Sequence, residues 1–336
     1  MFTIKKDQIE AVMQVCKTAA TRHANQAFEC VLIEADADGV SLTGGDGVVE
    51  INRALVADVE SGFKIAVNAQ KFMQAVKACG DATVILKDQL TIKSGRRRFK
   101  LHTVDAEAYP AYPRANNDNK MNIAPQTLIE TIKLVSFASA KNDVRHVLNG
   151  VFIGKHATAT NGHRMAVADL GLKKDAIVSI EAVNKIPLDI TGDVYLSDNV
   201  LSIVSGTYSF KCKLIDGKYV DYERVIPNEF TKEVTVDKSS FIDAIKAAQI
   251  NAPESGNVVF HFCEESNIKS RSGKQEDATI DFDCVTNSDF EMSFNSSYLL
   301  NALSVLDLDV VKMQFNDGQV RIDDDGLINI ISMCRI

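Results

Sequence analysis

The sequence predicts an α+β fold made of three similar domains with antiparallel sheets. A segment with the pattern of a short strand, a polar turn and a helix recurs three times, beginning at Phe2, Met121 and Val234. A hairpin pattern, in which two strands flank a turn that contains glycine, also recurs, beginning at Lys87, Ser197 and Asn316. Many strands joined by hairpin turns, with few helices, favour antiparallel sheets and hence the α+β class.

The first helix of each repeat is predicted from apolar residues in matching register. Ile9, Leu128 and Phe241 are each followed four residues later by another apolar residue, which is the spacing of one helix face. A second helix is predicted in each repeat, at 68–77, at 180–186, where the pattern is short, and at 296–306. Further strands are predicted in the middle of the repeats, at 29–35, 150–154 and 258–263.

The repeats also predict domain boundaries. Polar stretches at 116–120 and 227–232 have the composition of linkers. The predicted domains are therefore 1–119, 120–230 and 231–336. Three like domains could form a row or part of a closed ring, and closed assemblies are the common case. Because unpaired edge strands need protection, we expect neighbouring domains to pair their edges into one continuous layer with the helices on one side.

The charge of the chain is uneven. Its 336 residues include 37 basic and 45 acidic ones, and the formal net charge is −8. An acidic total argues against a protein that grips nucleic acid tightly, since such proteins are basic overall. However, 1–118 holds 15 basic and 15 acidic residues, 119–230 holds 13 and 12, and 231–336 holds 9 and 18. The last third supplies the excess of acidic residues. The net charge of the whole chain therefore does not describe the first two thirds.

Several classes of function lack support in the sequence. No apolar run approaches the roughly 18–20 residues of a membrane span, and the first residues lack a signal-peptide pattern, so we expect a cytoplasmic protein without a membrane partner. The seven cysteines are scattered, which favours reduced, mostly buried thiols over a metal site. Asp38-Gly39 and Asp325-Gly326 are interpreted as hairpin turns rather than calcium loops. No phosphate-binding or nucleophile motif occurs, and no cofactor or metal is expected.

Two polar motifs allow more than one interpretation. Arg96-Arg97-Arg98 lies at a predicted hairpin turn, where it is either a solvated tip or a surface that faces phosphates. The segment from Thr160 to Arg164 includes His163 beside a basic residue, which could indicate a catalytic histidine. The alternative, favoured because no second catalytic group lies nearby in sequence, is a glycine turn that presents side chains into a surface groove.

Four segments carry a specific resemblance: NDVRHVLNGVFI (142–153), ATNGHRMAV (159–167), KLIDGKYVDYERVIP (213–227) and SFNSSYLLNAL (293–303). Together with the threefold repeat, they closely resemble the β subunit, or sliding clamp, of bacterial DNA polymerase III. The resemblance implies the DNA clamp fold, in which two chains join head to tail as a homodimer, with sheets outside and helices lining a ring. It implies a DNA polymerase processivity factor that is not an enzyme. Such a protein encircles duplex DNA without sequence preference, is loaded by a clamp loader and tethers the polymerase.

The resemblance also implies a groove between the second and third domains that receives a short, partly apolar peptide from polymerases, the loader and other clamp-binding-motif proteins. By matching motif, the groove residues are Leu148, Thr160, Gly162, His163, Arg164, Met165, Arg224, Val225, Asn295, Tyr298, Ile330, Met333, Cys334 and Arg335. Apolar walls from Leu148, Met165 and Val225, with a few polar groups that fix orientation, suit peptide capture.

Several positions depart from the family pattern. Asn161 stands where Asp is usual, Val220 replaces a Pro, and Ser332 to Cys334 replace a Met-Pro-Met sequence. The groove floor is therefore expected to be smaller or more polar, and the peptide preference to differ.

The inward helices and nearby loops are expected to carry DNA-facing residues. The candidates are Arg22, Lys71, Lys77, Lys133, Lys141, Asn142, Arg145 and Lys246. Arg145 has an alternative role, which is to hold its own loop. The dimer interface is expected to pair the first domain of one chain with the third of the other, and its candidate residues are Phe72, Gln249 and Ile250. Complementary charge at these edges is compatible with the uneven charge of the chain.

Two further hypotheses compete with the replicative clamp. The altered C-terminal segment suits a clamp-like scaffold dedicated to repair or to a specialised polymerase. A hydrolase that uses His163 is the other, and it predicts turnover that a His163→Ala variant would lose.

Overall fold

A computed structural model describes residues 1–110, 112–113, 115–273 and 276–334. The described residues form six α-helices, which are α1 (Ile9–Thr18), α2 (Ala69–Cys79), α3 (Pro125–Ser136), α4 (Ile180–Lys185), α5 (Lys238–Gln249) and α6 (Ser296–Ser304). They fall at the positions that the repeat predicted for the two helices of each third, so that prediction is confirmed. Among these described helices, none is long and apolar enough to cross a membrane.

The strands follow the same repeat. The first thirteen are β1 (Phe2–Ile4), β2 (Cys30–Asp36), β3 (Gly39–Gly45), β4 (Val49–Leu55), β5 (Phe63–Asn68), β6 (Ala82–Leu86), β7 (Leu90–Ser94), β8 (Arg97–Leu101), β9 (Thr103–Val104), β10 (Gly150–Ile153), β11 (His156–Thr160), β12 (Arg164–Asp169) and β13 (Ala176–Ser179). The remaining strands are β14 (Asp193–Leu196), β15 (Val200–Ser205), β16 (Tyr208–Lys213), β17 (Lys232–Asp237), β18 (Asn257–Phe262), β19 (Asn267–Ser272), β20 (Glu276–Asp281), β21 (Val285–Thr286), β22 (Phe290–Asn295), β23 (Val310–Phe315), β24 (Gln319–Asp324) and β25 (Leu327–Ser332).

The first compact unit comprises Met1–Ile129 and Asn184–Leu214. It contains a four-stranded sheet of order β1-β6-β7-β8 and an eight-stranded sheet of order β14-β15-β16-β4-β3-β2-β5-β9. Helices α1 and α2 contact each other, and α1 also packs on β3 and β4. Val12, Val15 and Phe72 are fully buried there, because each lies on the apolar stripe of its helix.

The second compact unit comprises Glu130–Val183 and the chain from Ile215 onward. It contains a nine-stranded sheet of order β13-β10-β11-β12-β25-β24-β23-β17-β21 and a four-stranded sheet of order β20-β19-β18-β22. Part of its core is aromatic: the ring of Phe262 lies 5.2 Å from that of Phe315 and stacks at 5.8 Å on that of Phe260. Such contacts between bulky rings fix the position of α5, whose Phe241 lies 5.9 Å from Phe260.

The edges of successive repeats pair, as the sequence analysis expected. In the first unit, β16 pairs antiparallel with β4 over five residues of each strand. In the second unit, β12 pairs antiparallel with β25, again over five residues of each. The backbone groups of these four strands are therefore paired across each seam rather than left at an open edge.

A buried ion pair lies on the seam between β4 and β16. Glu50 and Lys211 are directly opposite in register, and the Nζ–Oε1 distance is 2.8 Å. Lys211 also donates to the carbonyl of Tyr112, whose own N–H donates to Glu50 Oε2 at 2.8 Å. The pair thus joins the seam to the C-terminal end of the first repeat.

One predicted strand is wrong. Residues 121–123 make no strand; only Lys120 forms an isolated bridge, with Tyr195. The helix begins at Pro125, so the extended stretch is too short to continue the pairing. The remaining predicted strands and hairpins are present. All seven cysteines are free thiols, and Cys16, Cys30, Cys79 and Cys212 are buried, as the sequence predicted for most of them.

Candidate functional site

The pairing of β12 with β25 brings two distant segments together. Arg164, the first residue of β12, lies opposite Ile331 in β25. The turn before β12 and the segment after β25 therefore leave the sheet side by side. The N–H of Ser332 donates to the carbonyl of His163 at 2.9 Å, which fixes their relative position.

The turn from Thr160 to Arg164 is held by its own polar groups. Asn161 Oδ1 accepts from the N–H groups of His163 and Arg164 at 2.9 and 3.0 Å. The hydroxyl of Thr160 accepts from the N–H of Gly162 and donates to the carbonyl of Arg164. Gly162 has a φ of +87°, a left-handed conformation that favours glycine. These bonds make the turn a rigid edge of the site.

Arg164 packs between aromatic rings. Its guanidinium carbon lies 4.5 Å from the ring centre of Tyr298 and 5.4 Å from that of Phe137. Nη2 donates to the carbonyl of Phe137. Burial lowers the pKa of Arg164, and the neighbouring Tyr298 opposes that shift. A planar cation between rings is a preorganised contact surface.

Tyr298 is positioned by α6. Asn295 caps this helix, since its Oδ1 accepts from the N–H of Tyr298 at 3.2 Å, and its Nδ2 donates to the carbonyl of Ser255. The Tyr298 hydroxyl accepts from Asn161 Nδ2 at 3.2 Å. Asn161, one of the residues that depart from the family pattern, thus links the turn to α6.

The apolar groove residues divide into two sets. Leu148, Met165 and Ile330 are buried in one cluster, beneath the surface. Val225 and Met333 are 49% and 40% exposed. Leu148 and Met165, which were expected to be walls, lie beneath the surface as a floor, and the exposed apolar surface comes from Val225 and Met333.

The segment from Val220 to Val225 forms another side of the site, and its Tyr222 belongs to the buried cluster. The N–H of Val225 donates to the carbonyl of Tyr222 at 3.0 Å, closing a short 3-10 turn over Glu223–Val225. The side chain of Arg224 is highly exposed and pairs with Asp221 at 2.7 Å. The exposed guanidinium is thus held near the surface that Val225 forms.

The C-terminal segment is tied down by its backbone. The N–H of Met333 donates to the carbonyl of Gly318, and that of Cys334 donates to the carbonyl of Ser293, both at 2.8 Å. Burial raises the pKa of the Cys334 thiol. Arg335, which the sequence analysis assigned to the groove, lies outside the described residues.

Most of the predicted DNA-facing side chains are exposed, and Lys133 is half-buried. The exposed ones are Arg22, Lys71, Lys77, Lys141, Asn142, Arg145 and Lys246. Arg145 is held in its own loop, because Nε and Nη2 contact the two carboxylate oxygens of Asp143 at 3.0 and 2.9 Å. This ion pair holds the pKa of Asp143 down at about 2. A Cβ placed on Gly162 would lie 3.3 Å from Arg145 Nη2, so Arg145 also borders the groove turn.

The residues predicted at the dimer interface differ in exposure. Ile250 is 83% exposed at the end of α5, and Gln249 donates to the hydroxyl of Ser296. Phe72 is 0% exposed, so its side chain belongs to the core of its own chain and is not available to a partner. This corrects the assignment of Phe72. The stripe of Ala69, Phe72, Val76 and Cys79 on one face of α2 was the signal for that burial.

No catalytic arrangement surrounds His163. The residue is exposed, and its backbone bonds Asn161 and Ser332. Within the described ranges, no group of three or more His, Cys, Asp or Glu side chains could hold a metal ion. The arrangement of rings, a half-buried arginine and exposed apolar side chains is suited to binding rather than bond breaking.

Sequence reasoning missed several residues of this site. Phe137, Tyr222 and Asp143 each hold a predicted residue in place, but they act through contacts that no motif specifies. The pair of Asn161 and Tyr298 lies 137 positions apart in sequence, and only the β12–β25 seam brings them together.

Comparisons with known proteins give a consistent result. The family models for the N-terminal, central and C-terminal domains of the DNA polymerase III beta subunit match residues 1–113, 122–221 and 223–325. The beta sliding clamp of Pseudomonas aeruginosa is 29% identical over 344 residues, covering 94% of this chain and 93% of that protein.

Solved structures resemble the fold along its whole length. A crystal structure of the DNA polymerase sliding clamp from Pseudomonas aeruginosa with ligand matches with a TM-score of 0.90 and 26% identity, covering 100% of this chain and 99% of that one. A sliding clamp from the same species bound to griselimycin matches with a TM-score of 0.88 and 26% identity, over the same shares.

Proposed function

This chain belongs to the DNA polymerase III beta subunit family. From that premise we propose which of its residues bind a partner peptide, a second chain and DNA. The protein is a DNA polymerase processivity factor, a non-catalytic subunit that forms a dimeric ring with DNA and polymerase as partners. The family membership replaces the hypothesis of a hydrolase that uses His163. A clamp loader and other proteins with a clamp-binding motif are further proposed partners.

The groove proposal rests on the seam between β12 and β25. The turn from Thr160 to Arg164, the 3-10 turn at Glu223–Val225 and the segment after Ser332 lie around one buried apolar cluster. Apolar side chains of a partner peptide would pack on Val225 and Met333, and the plane formed by Arg164 and Tyr298 would fix their orientation. The single observation that carries this proposal is the bond from Ser332 N–H to the His163 carbonyl, because it joins the two segments.

Ring closure is proposed to use two open edge strands of opposite charge. Strand β8 ends the four-stranded sheet of the first unit and carries Arg98 and Lys100. Strand β20 ends the four-stranded sheet of the second unit and carries Asp277 and Asp281. Both strands are largely exposed, and an exposed edge presents unpaired backbone groups that a second chain can pair with. A head-to-tail contact of β8 with the partner's β20 would satisfy both edges and close the ring, with Ile250 near the contact.

DNA contact is proposed for the exposed basic side chains on helices and loops. Helix α2 carries Lys71 and Lys77 and no acidic residue. Such contacts neutralise phosphates without reading bases, so binding should be weak, non-specific and sensitive to salt. A closed ring stays on DNA without binding it tightly, which is compatible with a net charge of −8. The excess acid of the last third is proposed to face away from the DNA.

Three further assignments are proposals of the same kind. The domain boundary at 119/120 lies between the first two family segments, which end at 113 and begin at 122, and the boundary at 230/231 lies beyond the junction of the last two, at 221 and 223. We also place the protein in the cytoplasm, as expected for a DNA-associated protein of this family. A scaffold dedicated to repair would use the same groove, and the altered segment from Ser332 to Cys334 is the reason to test partner preference.

Sedimentation of the purified chain tests the ring. The expected result at micromolar concentration is a dimer with twice the 36.8 kDa mass of the chain. A species that stays monomeric, with or without DNA, would contradict the proposal. For the groove, we propose that griselimycin binds this chain there, and calorimetric titration of wild type and Arg164→Ala is the test. Equal affinity of the two proteins for griselimycin would contradict the assignment of Arg164 to the groove.

A further inference from the structure

The 3-10 turn that carries Arg224 and Val225 has little packing of its own. None of its three residues is buried. Its backbone anchor is the carbonyl of Tyr222, which accepts from the N–H of Val225 at 3.0 Å. The position of Val225 therefore depends on what holds Tyr222.

The ring of Tyr222 is buried in the cluster that forms the groove floor. It shares this cluster with Leu148, Met165 and Ile330, and its centre lies 5.7 Å from that of Phe152. Apolar packing of this kind fixes the depth of a ring but leaves its rotation and sliding weakly defined, because dispersion is not directional. A directional contact at the hydroxyl is needed to set the ring in place.

His156 supplies that contact. Its Nδ1 lies 2.9 Å from the Tyr222 hydroxyl, and the two rings meet edge to face at 86° with centres 5.9 Å apart. On its other side, Nε2 lies 3.4 Å from Asp169 Oδ1, and Asp169 is the register partner of His156 across β11 and β12. Glu223 Oε1 lies 3.9 Å from Nδ1. The imidazole is largely buried at the start of β11, so its own position is fixed by the sheet.

We propose that His156 is a positioning residue for the peptide groove: through Tyr222 it sets the turn that presents Val225 and Arg224. The inference rests on the proposed groove function and adds a residue that contacts no partner peptide. The chain of contacts runs from the sheet to His156, from its Nδ1 to the Tyr222 hydroxyl, and from the Tyr222 carbonyl to Val225. Asp169 orients the ring from the opposite nitrogen.

Two substitutions of similar size test the two imidazole nitrogens of His156 separately. In His156→Asn, the side-chain amide occupies the place of Nδ1 and can still bond Tyr222. In His156→Gln, the amide reaches the place of Nε2, toward Asp169. The Tyr222 hydroxyl then loses its contact with Nδ1 and keeps only its polar neighbour Thr158. Griselimycin affinity, measured by calorimetry on the full chain, should fall about 3–10-fold in His156→Gln and His156→Ala and stay near wild type in His156→Asn.

A second measurement reports on the turn without any ligand. Hydrogen exchange at the Val225 amide should speed up by a similar factor in His156→Gln and in Tyr222→Phe, and the double variant should be no faster than either, since both remove the same bond. Thermal unfolding of each variant serves as the control for a general loss of stability.

The outcomes separate the inference from the groove proposal. Wild-type protein that binds griselimycin, with His156→Gln equal to it in both affinity and Val225 exchange, would overturn the inference alone. Wild-type protein that does not bind would overturn the groove proposal, and faster Val225 exchange in His156→Gln would still show that His156 sets the turn. A loss in His156→Asn equal to that in His156→Ala would also contradict the assigned nitrogen.

Discussion

The guanidinium of Arg164 stacks on the ring of Tyr298 at 4.5 Å, and the Tyr298 hydroxyl accepts from Asn161, which belongs to the same turn as Arg164. One aromatic side chain from α6 thus contacts both the start of β12 and the turn before it. The stack and the hydrogen bond are separable, which gives a direct test of each.

Removing the ring should cost more than removing the hydroxyl. Tyr298→Phe keeps the stack and loses one hydrogen bond, so griselimycin affinity should fall about 2–5-fold. Tyr298→Ala also loses the cation–π contact, worth about 0.5–2 kcal/mol, and should bind about 5–50-fold more weakly. Titration calorimetry measures both values. Equal losses in the two variants would mean that the stack contributes nothing to binding.

Exchanging charge between the two edge strands should break and then restore the dimer. Arg98→Glu with Lys100→Glu places like charges opposite Asp277 and Asp281 of the partner, and the dimer should weaken at least about tenfold. Adding Asp277→Lys and Asp281→Lys to the same chain restores complementary charge, with the acidic residues now on β8 and the basic ones on β20. Sedimentation velocity measures dissociation. A dimer that all three proteins form equally well would rule out β8 and β20 as the contact.

The salt dependence of the same dimer follows from this contact. Raising the salt concentration roughly tenfold screens exposed pairs, so the wild-type dimer should weaken and the Arg98→Glu, Lys100→Glu variant should strengthen. The full exchange variant should behave as wild type. A wild-type dimer that tightens with salt would indicate an apolar contact instead.

Breaking the pair of Glu50 and Lys211 should be strongly destabilising. The side chains are 4% and 11% exposed, so Lys211→Ala leaves a carboxylate with little access to water. Loss of one partner of a buried pair costs about 3–5 kcal/mol of unfolding free energy. The double variant Glu50→Gln, Lys211→Met removes both charges and should recover most of that loss. Urea denaturation compares the three, and a small effect of Lys211→Ala would show that water reaches Glu50.

The pair of Asp143 and Arg145 should persist far into the acid range. Because the pKa of Asp143 falls from its usual 3.8 to about 2, the favourable pairing is present above pH 3.8 and is lost as the pH falls through about 2. Carbon-13 NMR of the carboxylate should show little titration down to about pH 3. In Arg145→Gln, the midpoint should return toward 3.8. A wild-type midpoint near 3.8 would mean that the pair does not form in solution.

Local periodicity predicted the regular elements, whereas contacts that depend on tertiary placement were missed. Helices and hairpins are specified by residues a few positions apart, so Leu128 and Phe241 located α3 and α5 correctly. Residues 121–123 have a strand pattern, yet a helix that starts at Pro125 leaves too little extended chain. Phe72 was assigned to an interface by resemblance, although its own helix stripe indicated the core. Tyr222 and His156 lie 66 positions apart, and no spacing rule connects them.

The strand pairing between repeats also determines which substitutions these strands tolerate. Apart from the ion pair of Glu50 and Lys211, the β4–β16 and β12–β25 joints are built on main-chain hydrogen bonds, which every residue except proline supplies. Substitutions along these strands can accumulate as long as size and inward polarity are respected. That tolerance accounts for a chain at 26% identity that superimposes on a relative with a TM-score of 0.90. Proline is the replacement these twenty strand positions are least able to accept.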